Sequence, residues 1–392
     1  MTSAPISAAD PFDAGPYARL QAALNRRRLW SSRAPLRAVT LAAIAWLPLL
    51  VLAAVQGLAW TPRAQESLLL DPSVYSRYLI TLPLLVLAGP LCLLPLAMIA
   101  RYFPEAGLVS EADRPRYESL LGSTRSLLDH RGAELTLVLL AYAGALAVAG
   151  SQYPANESSW VAPIIGGERH LSLAGWWRLL VSQPLLLVVW GEWLWRIAVW
   201  ARFLWQVARL DLRLVPAHPD LAGGLGFVAT SMQGFSPVAF ALGASTAGGI
   251  AEGVLLEGHA LDAYRWAPGI LLLIVLVLFV APLLVFSPPL MKARVRGAFA
   301  YGELAEALGR RFEQRWLGRG PELNEDVLAA PDFSATTDLY SIAVNVRNMR
   351  LVPFDLRGLI PLLVAALLPF VPLLFALIPL KQVLLFAKRL VL

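Results

Sequence analysis

The sequence predicts an all-α fold: a polytopic integral-membrane helical bundle of about seven transmembrane helices, with a cytoplasmic N-terminus and amphipathic cytoplasmic helical extensions. Three observations carry this. The 392 residues are 57% hydrophobic and only 15% charged, with a mean hydropathy of +0.61. Soluble domains run nearer ~45–50% and ~25%, so a bilayer must cover apolar surface that a core cannot hide. Seven apolar runs approach the ~20 residues needed to cross ~30 Å of hydrocarbon. Basic residues also alternate between successive loops, as the positive-inside rule requires.

Taken in order, the runs are roughly Val39–Trp60, Leu79–Ile99, Leu135–Tyr153, Leu179–Trp200, Gly224–Ala251, Pro268–Leu290 and Leu359–Leu380. The first follows more than thirty polar and basic residues, including Arg26, Arg27 and Arg28. A cleavable signal has a short basic segment and an apolar stretch of ~7–15 residues, so this run reads as a retained first helix. Arginines crowd the segment before it and the links after the second, fourth and sixth runs. The alternate links are poor in base, with Arg63 and Arg77, then Arg169, then Arg265. Lys381, Lys388 and Arg389 break the alternation. The tail that holds them is expected to lie outside or at the interface, or to follow a re-entrant last run.

The division that follows is a basic cytoplasmic segment over 1–36, then a six-span bundle over 37–290 with a cytoplasmic helix near 110–134. A cytoplasmic helical extension over 291–357 comes next, and a Pro-kinked last span with an amphipathic tail over 358–392. Near residue 110, Ser110 and Asp113 have capping-box spacing, Pro115 fits a first turn, and Leu120, Leu121, Leu127 and Leu128 make one stripe. In the extension, Tyr301, Leu304, Leu308, Phe312 and Trp316 share a face. After the break at GRGPELNED, Leu339, Ile342, Val346 and Met349 share another.

The net charge is +6, and 30 of the 33 basic residues are Arg. In a membrane chain that points to cytoplasmic loops and anionic lipid headgroups before nucleic acid. The partners expected are the bilayer, an anionic headgroup and further copies of the chain. Cys92 is the single cysteine, which excludes intrachain disulfides and thiolate metal sites. No cofactor or metal is expected. The Ala-, Leu- and Arg-rich composition fits a GC-rich bacterial genome, hence a bacterial inner membrane.

The stretch RLVPAHPDLAGGLGF, residues 213–227, raises the sharpest question. Asp220 or His218 is placed to cap the start of the fifth span, with Pro219 in its first turn. Gly223 and Gly224 permit a tight turn. They also offer N–H groups at a helix N-terminus, where an anion or headgroup would sit beside Arg209 or Arg213. No Gly-Lys-Ser/Thr follows, so this is not a P-loop. A His218/Asp220 acid–base pair lacks a nucleophile or metal beside it.

Within the spans, Glu192 and Arg196 are four residues apart and so face one another. They are read either as an ion pair or as a relay. Counting from Leu179 puts Glu192 about 20 Å deep. The fifth run combines the small residues Ala239, Gly243, Ala247 and Ala251 at four-residue spacing, a pattern for close helix approach. Gln233, Ser236, Ser245, Thr246 and Glu252 are the candidate pathway-lining groups. Pro237 is expected to kink this helix, and Pro369 and Pro372 to act as hinges in the last span.

The segments GLVSEADRPRYESLL, HPDLAGGLGF, LMKARVRGAFAYGELA and MRLVPF together resemble a family of uncharacterised bacterial multi-pass membrane proteins. The resemblance implies a fold and an inner-membrane location, with no activity attached. In topology alone, seven spans with extended cytoplasmic helices are similar to the insect chemoreceptor ion channels, and no residue carries over. The function expected is an oligomeric channel or transporter moving ions or small solutes. The alternatives are a membrane sensor or scaffold with a cytoplasmic partner, and a lipid-active intramembrane enzyme.

Overall fold

The computed structural model describes residues 34–152, 159–165, 168–317 and 331–377. Among the described residues the regular secondary structure is helical apart from a two-residue antiparallel ladder, β1 (Ile164–Ile165) with β2 (Glu168–Arg169), and one isolated bridge between Val109 and Leu212. Five helices are long and apolar enough to cross a membrane: α1 (Ala34–Val55), α2 (Pro72–Glu105), α5 (Leu173–Val207), α6 (Gly226–Leu255) and α7 (Leu261–Trp316). Between α2 and α5 come α3 (Arg114–Leu128) and α4 (Arg131–Gln152). After α7 come α8 (Pro331–Arg347), α9 (Leu356–Leu367) and α10 (Phe370–Leu377). The apolar stretches of α4 and α9 are shorter than those of the five. The basic segment up to residue 33, the GRGPELNED break and the tail with Lys381, Lys388 and Arg389 lie outside the described residues.

Local chemistry sets the boundaries. The helix α1 stops at Val55 rather than near Trp60, because Gly57 takes φ +72°. Leu58 N–H then donates to Ala53 O and Gly57 N–H to Ala54 O, a Schellman closure. The end of α2 repeats it, with Gly107 at φ +68° and Leu108 N–H donating to Phe103 O. At the start of α3, Ser110 Oγ accepts from Asp113 N–H at 3.2 Å, and Asp113 caps without a side-chain bond.

Several spans are not uniform α-helix. Both α2 and α5 are π-wound near their starts, over Tyr75–Thr81 and Arg178–Ser182. Halfway along, α7 passes through a π-turn (Leu276–Val280) and a 3-10 stretch (Ala281–Phe286) around Pro282. The interruption in α6 falls at Phe235, between Thr230–Gly234 and Ser236–Leu255. Pro237 therefore begins the second piece instead of kinking a continuous one. Its missing N–H does least harm in a first turn, so the break moves ahead of it. The last apolar run is likewise not one continuous helix but α9 and α10, broken at Leu368 and Pro369, with Pro372 inside α10.

The helix α6 is the centre. Of its apolar stretch 56% is buried, against 28–39% in the other four long helices. It packs against α2 and α9 and touches α7. Small residues permit this. A Cβ on Gly243 would collide with the Ala366 carbonyl of α9, and one on Gly248 with the Ser76 side chain of α2. α1 packs on α2 and α5, and α4 on α5.

At the end of the bundle holding residues 213–227, an aromatic layer joins five helices. Phe103 of α2 meets Phe227 of α6 at 5.0 Å and Phe286 of α7 at 6.2 Å. Tyr117 of α3 meets Phe203 of α5 at 6.1 Å. The Tyr117 hydroxyl donates to Ala100 O, and burial raises its pKa above the ordinary phenol value, keeping it a neutral donor. Beyond this layer α7 pairs with α8 through Phe312 and Phe333, 5.0 Å apart, and Arg294 donates to Arg347 O.

Candidate functional site

Residues 213–227 form a loop built around one carboxylate. Leu221, Gly223 and Gly224 all take positive φ, at 53°, 65° and 95°. That sequence of turns wraps the backbone around Asp220. Its Oδ1 accepts from Ala222 N–H at 2.8 Å and Gly224 N–H at 3.1 Å, and its Oδ2 from Gly226 N–H at 2.8 Å. His218 Nδ1 stands 2.8 Å from Oδ1. Burial raises the carboxyl pKa, but the three amide bonds and His218 outweigh it and hold Asp220 below the usual aspartate value. Gly226 opens α6, so Asp220 caps that span from six residues upstream. The amides that the sequence offers to an external anion are turned onto the chain's own carboxylate.

The loop is locked to the chain entering α9. Arg350 N–H donates to Leu221 O at 2.7 Å, and its guanidinium to Asp220 O at 2.6 Å. The missing Cβ of Gly223 leaves room for Met349, whose Cε would stand 3.0 Å away. Arg213 takes part through its backbone, donating to Leu108 O at 2.9 Å. Arg209 does not turn toward the loop but lies over the Trp205 ring at 3.5 Å.

Deeper in the bundle, Arg196 and Glu192 lie 3.8 Å apart, both largely buried. Arg196 also lies over the Trp193 ring at 5.3 Å, and Trp193 donates to Leu85 O at 3.0 Å. The five polar groups of α6 do not form one line. Gln233 is exposed, and Ser245 is half-buried. Thr246 donates to Leu242 O of its own helix. Ser236 Oγ is buried at the helix interruption with no hydrogen-bond partner among the described residues. Glu252 lies at the far end, 3.6 Å from Arg77.

Glu252 belongs to a buried cluster at the end of the bundle opposite the Asp220 loop. Asp71 is 1% exposed. It caps α2 through Ser73 N–H at 2.8 Å and accepts from the Trp160 indole at 2.9 Å. Arg178 of α5 lies 5.6 Å from the Trp160 ring centre and against the Tyr78 hydroxyl. That hydroxyl donates to Gln183 at 3.3 Å, tying the π-wound start of α2 to α5. The Ser73 hydroxyl is buried close to Glu252 but makes no hydrogen bond of normal geometry. Arg77 pairs with Glu252, and Asp71 and Arg178 lie within electrostatic reach of the same carboxylate. The segment carrying Trp160 covers them, pinned by Ser172 Oγ, which donates to Trp160 O at 2.8 Å and accepts from Gly175 N–H at 2.8 Å.

Sequence reasoning missed Asp71 and Arg178 and counted Arg77 only as a loop base. Charges at the ends of apolar runs are what snorkelling side chains supply anyway. One signal was present: Glu252 lies in an apolar span, where an acid needs a partner. Among the described residues no three His, Cys, Asp or Glu side chains gather as a metal site. No protein-family model, curated protein or solved structure matches the chain.

Proposed function

We propose that the chain crosses a bacterial inner membrane seven times from a cytoplasmic N-terminus, with α4 and the α9–α10 pair as the added spans. We infer that it transports ions or small solutes by rearranging α6 against α7. One observation supports this above the others: the interruptions of these two spans meet. Phe235, between the two pieces of α6, stacks on Phe279 in the π-turn of α7, 5.1 Å apart and at 24°. Beside it lies the Ser236 hydroxyl, without a hydrogen-bond partner among the described residues. In hydrocarbon, irregular backbone is tolerated only where protein buries it or where it lines a cavity. Transporters place their sites at such discontinuous helices. The close α6–α9 contact favours a moving transporter over a standing pore, since the small residues serve packing. Oligomerisation remains part of the proposal but is not what carries it.

The test is flux into liposomes across a panel of ions and small solutes. In a Cys92→Ser background, Phe235→Cys with Phe279→Cys links the two interruptions. Saturable flux that stops on oxidation and returns on reduction is expected. No flux for any solute, or flux indifferent to the crosslink, overturns the reading.

A second reading, a sensor or scaffold with a cytoplasmic partner, is favoured by the α7–α8 hairpin, where Phe299 is 77% exposed. It predicts crosslinks from that face to a protein partner. The enzyme reading gains nothing from the 213–227 loop, because backbone amides occupy both Asp220 oxygens.

A further inference from the structure

Glu252 is the only charged residue of α6 (Gly226–Leu255). It pairs with Arg77 of α2 at 3.6 Å, and both side chains are largely buried. Charged and titratable groups face it from each neighbouring helix. Asp71 and Arg77 lie on or at the start of α2 and Arg178 on α5, all within electrostatic reach. The Tyr264 phenol of α7 stands against Gly253, whose missing Cβ leaves it room. Past the end of α6, His259 Nδ1 stands 3.3 Å from Glu257 and 3.0 Å from the Tyr264 hydroxyl. Gly248 admits the Ser76 side chain of α2 in the same way. The helix thus touches its neighbours here through glycines, and the Glu252 carboxylate carries the one charge that ties it to them.

We propose that Glu252 is a proton-binding site: a proton from water at this end neutralises the carboxylate, frees Arg77 and unties α6 from α2. Of the two carboxylates that meet here, Glu252 is the one placed to take it. Both oxygens of Asp71 accept hydrogen bonds, from Ser73 N–H at 2.8 Å and from the Trp160 indole at 2.9 Å. A proton there would weaken both. Glu252 meets its guanidinium only at 3.6 Å, beyond hydrogen-bond length. The Ser73 hydroxyl beside it suits either state, since a hydroxyl donates to a carboxylate and accepts from a carboxyl. Arg77, 20% exposed, can extend toward the interface once released. Ionisable groups inside spans are where proton relays are built. This inference goes beyond the transport reading and is tested without flux, so that either can fail alone.

The experiment is infrared difference spectroscopy of the full chain in nanodiscs, titrated between about pH 4 and pH 9. Carboxyls common to two variants cancel when their spectra are subtracted. A neutral carboxyl band is expected to grow as pH falls, to vanish in Glu252→Gln and to persist in Glu192→Gln. Arg77→Gln should raise its midpoint by about one pH unit or more, because a neighbouring cation favours the carboxylate. Asp71→Asn should lower it, because a neighbouring anion disfavours the carboxylate. Arg77→Lys keeps the charge and should fall between wild type and Arg77→Gln. Spin labels on Leu70→Cys and Leu255→Cys, both exposed positions, in a Cys92→Ser background, read the tie between α2 and α6. Their separation should grow through the same midpoint, and Glu252→Gln should hold the acid separation at every pH. A band that survives Glu252→Gln, or that vanishes in Glu192→Gln instead, overturns the proposal. So does a midpoint unmoved by the Arg77 and Asp71 variants in monodisperse protein, or a label separation indifferent to pH.

Discussion

Gly243 of α6 lies so close to the Ala366 carbonyl of α9 that no Cβ fits between them. The obstacle is backbone, which cannot turn aside as a side chain can. Gly243→Ala should therefore force the helices apart at a cost of about 1–3 kcal/mol, the range for overpacking. Gly249→Ala is the control. Its Cβ would meet only Arg77, at 3.8 Å, so the change should be neutral or raise stability by the usual helix gain of about 0.5–1 kcal/mol. Thermal unfolding in detergent measures both. Equal midpoints for the two variants would mean that the α6–α9 approach is not tight.

Asp220 makes the fold sensitive to acid. Its folded pKa lies below the unfolded value of 3.8. The stabilisation is therefore complete above that value and is lost as pH falls through the lower, folded one. Asp220→Asn keeps one acceptor oxygen where the carboxylate serves three amides. It should lower stability near neutral pH by about 1–3 kcal/mol, the cost of leaving a buried donor unpaired. The gap between wild type and variant should then narrow below pH 4. Melting curves at stepped pH check this, and a gap that stays constant to the lowest pH would remove the carboxylate's charge from the account.

How much of this was legible in the sequence follows from the range of each interaction. An apolar run of bilayer length is a local property, so all five long helices were visible, and so was the α-helical class. The Ala239, Gly243, Ala247 and Ala251 stripe was legible too, because helical periodicity puts it on one face. The interruption at Phe235 was misplaced onto Pro237, since a proline marks a break without saying on which side it falls. The buried cluster was invisible. Trp160 reaches Asp71 across 89 positions of chain, and no local pattern announces such a meeting. The 213–227 loop was seen as special for its glycines. The cap by Asp220 at the start of α6 was expected from its place before LAGG, but that its carboxylate would also take the Ala222 and Gly224 amides depends on three positive φ angles, one of them at Leu221, where sequence gives no warning.

Arg350 ties the 213–227 loop to the start of α9 with two hydrogen bonds, one of them from its side chain. Arg350→Ala removes the guanidinium bond to Asp220 O while keeping the backbone bond to Leu221 O. Amide exchange should rise at Leu221, Ala222 and Gly224, and the spans should stay protected. A charged hydrogen bond of this kind contributes about 1.5–3 kcal/mol, so exchange should accelerate by about ten-fold or more where opening is local. Arg350→Lys should fall between, because an ammonium donates without the planar fork. Unchanged exchange in both would show that packing of Met349 under Gly223 holds the loop unaided.

The Glu192–Arg196 pair separates stability from charge. Removing one member of a buried pair costs about 3–5 kcal/mol, because the other is left uncompensated. The two ends are not equivalent here. Arg196 keeps the Trp193 ring face when Glu192 is lost, and a long side chain can extend toward an interface. Glu192 has no such route, since its carboxylate sits on a short stem among packed helices. Arg196→Gln should therefore destabilise more than Glu192→Gln, and the double variant should be more stable than Arg196→Gln alone. A double-mutant cycle on the detergent melting midpoint measures the coupling. Strictly additive losses would mean that the two charges, though 3.8 Å apart, are each compensated elsewhere in the bundle.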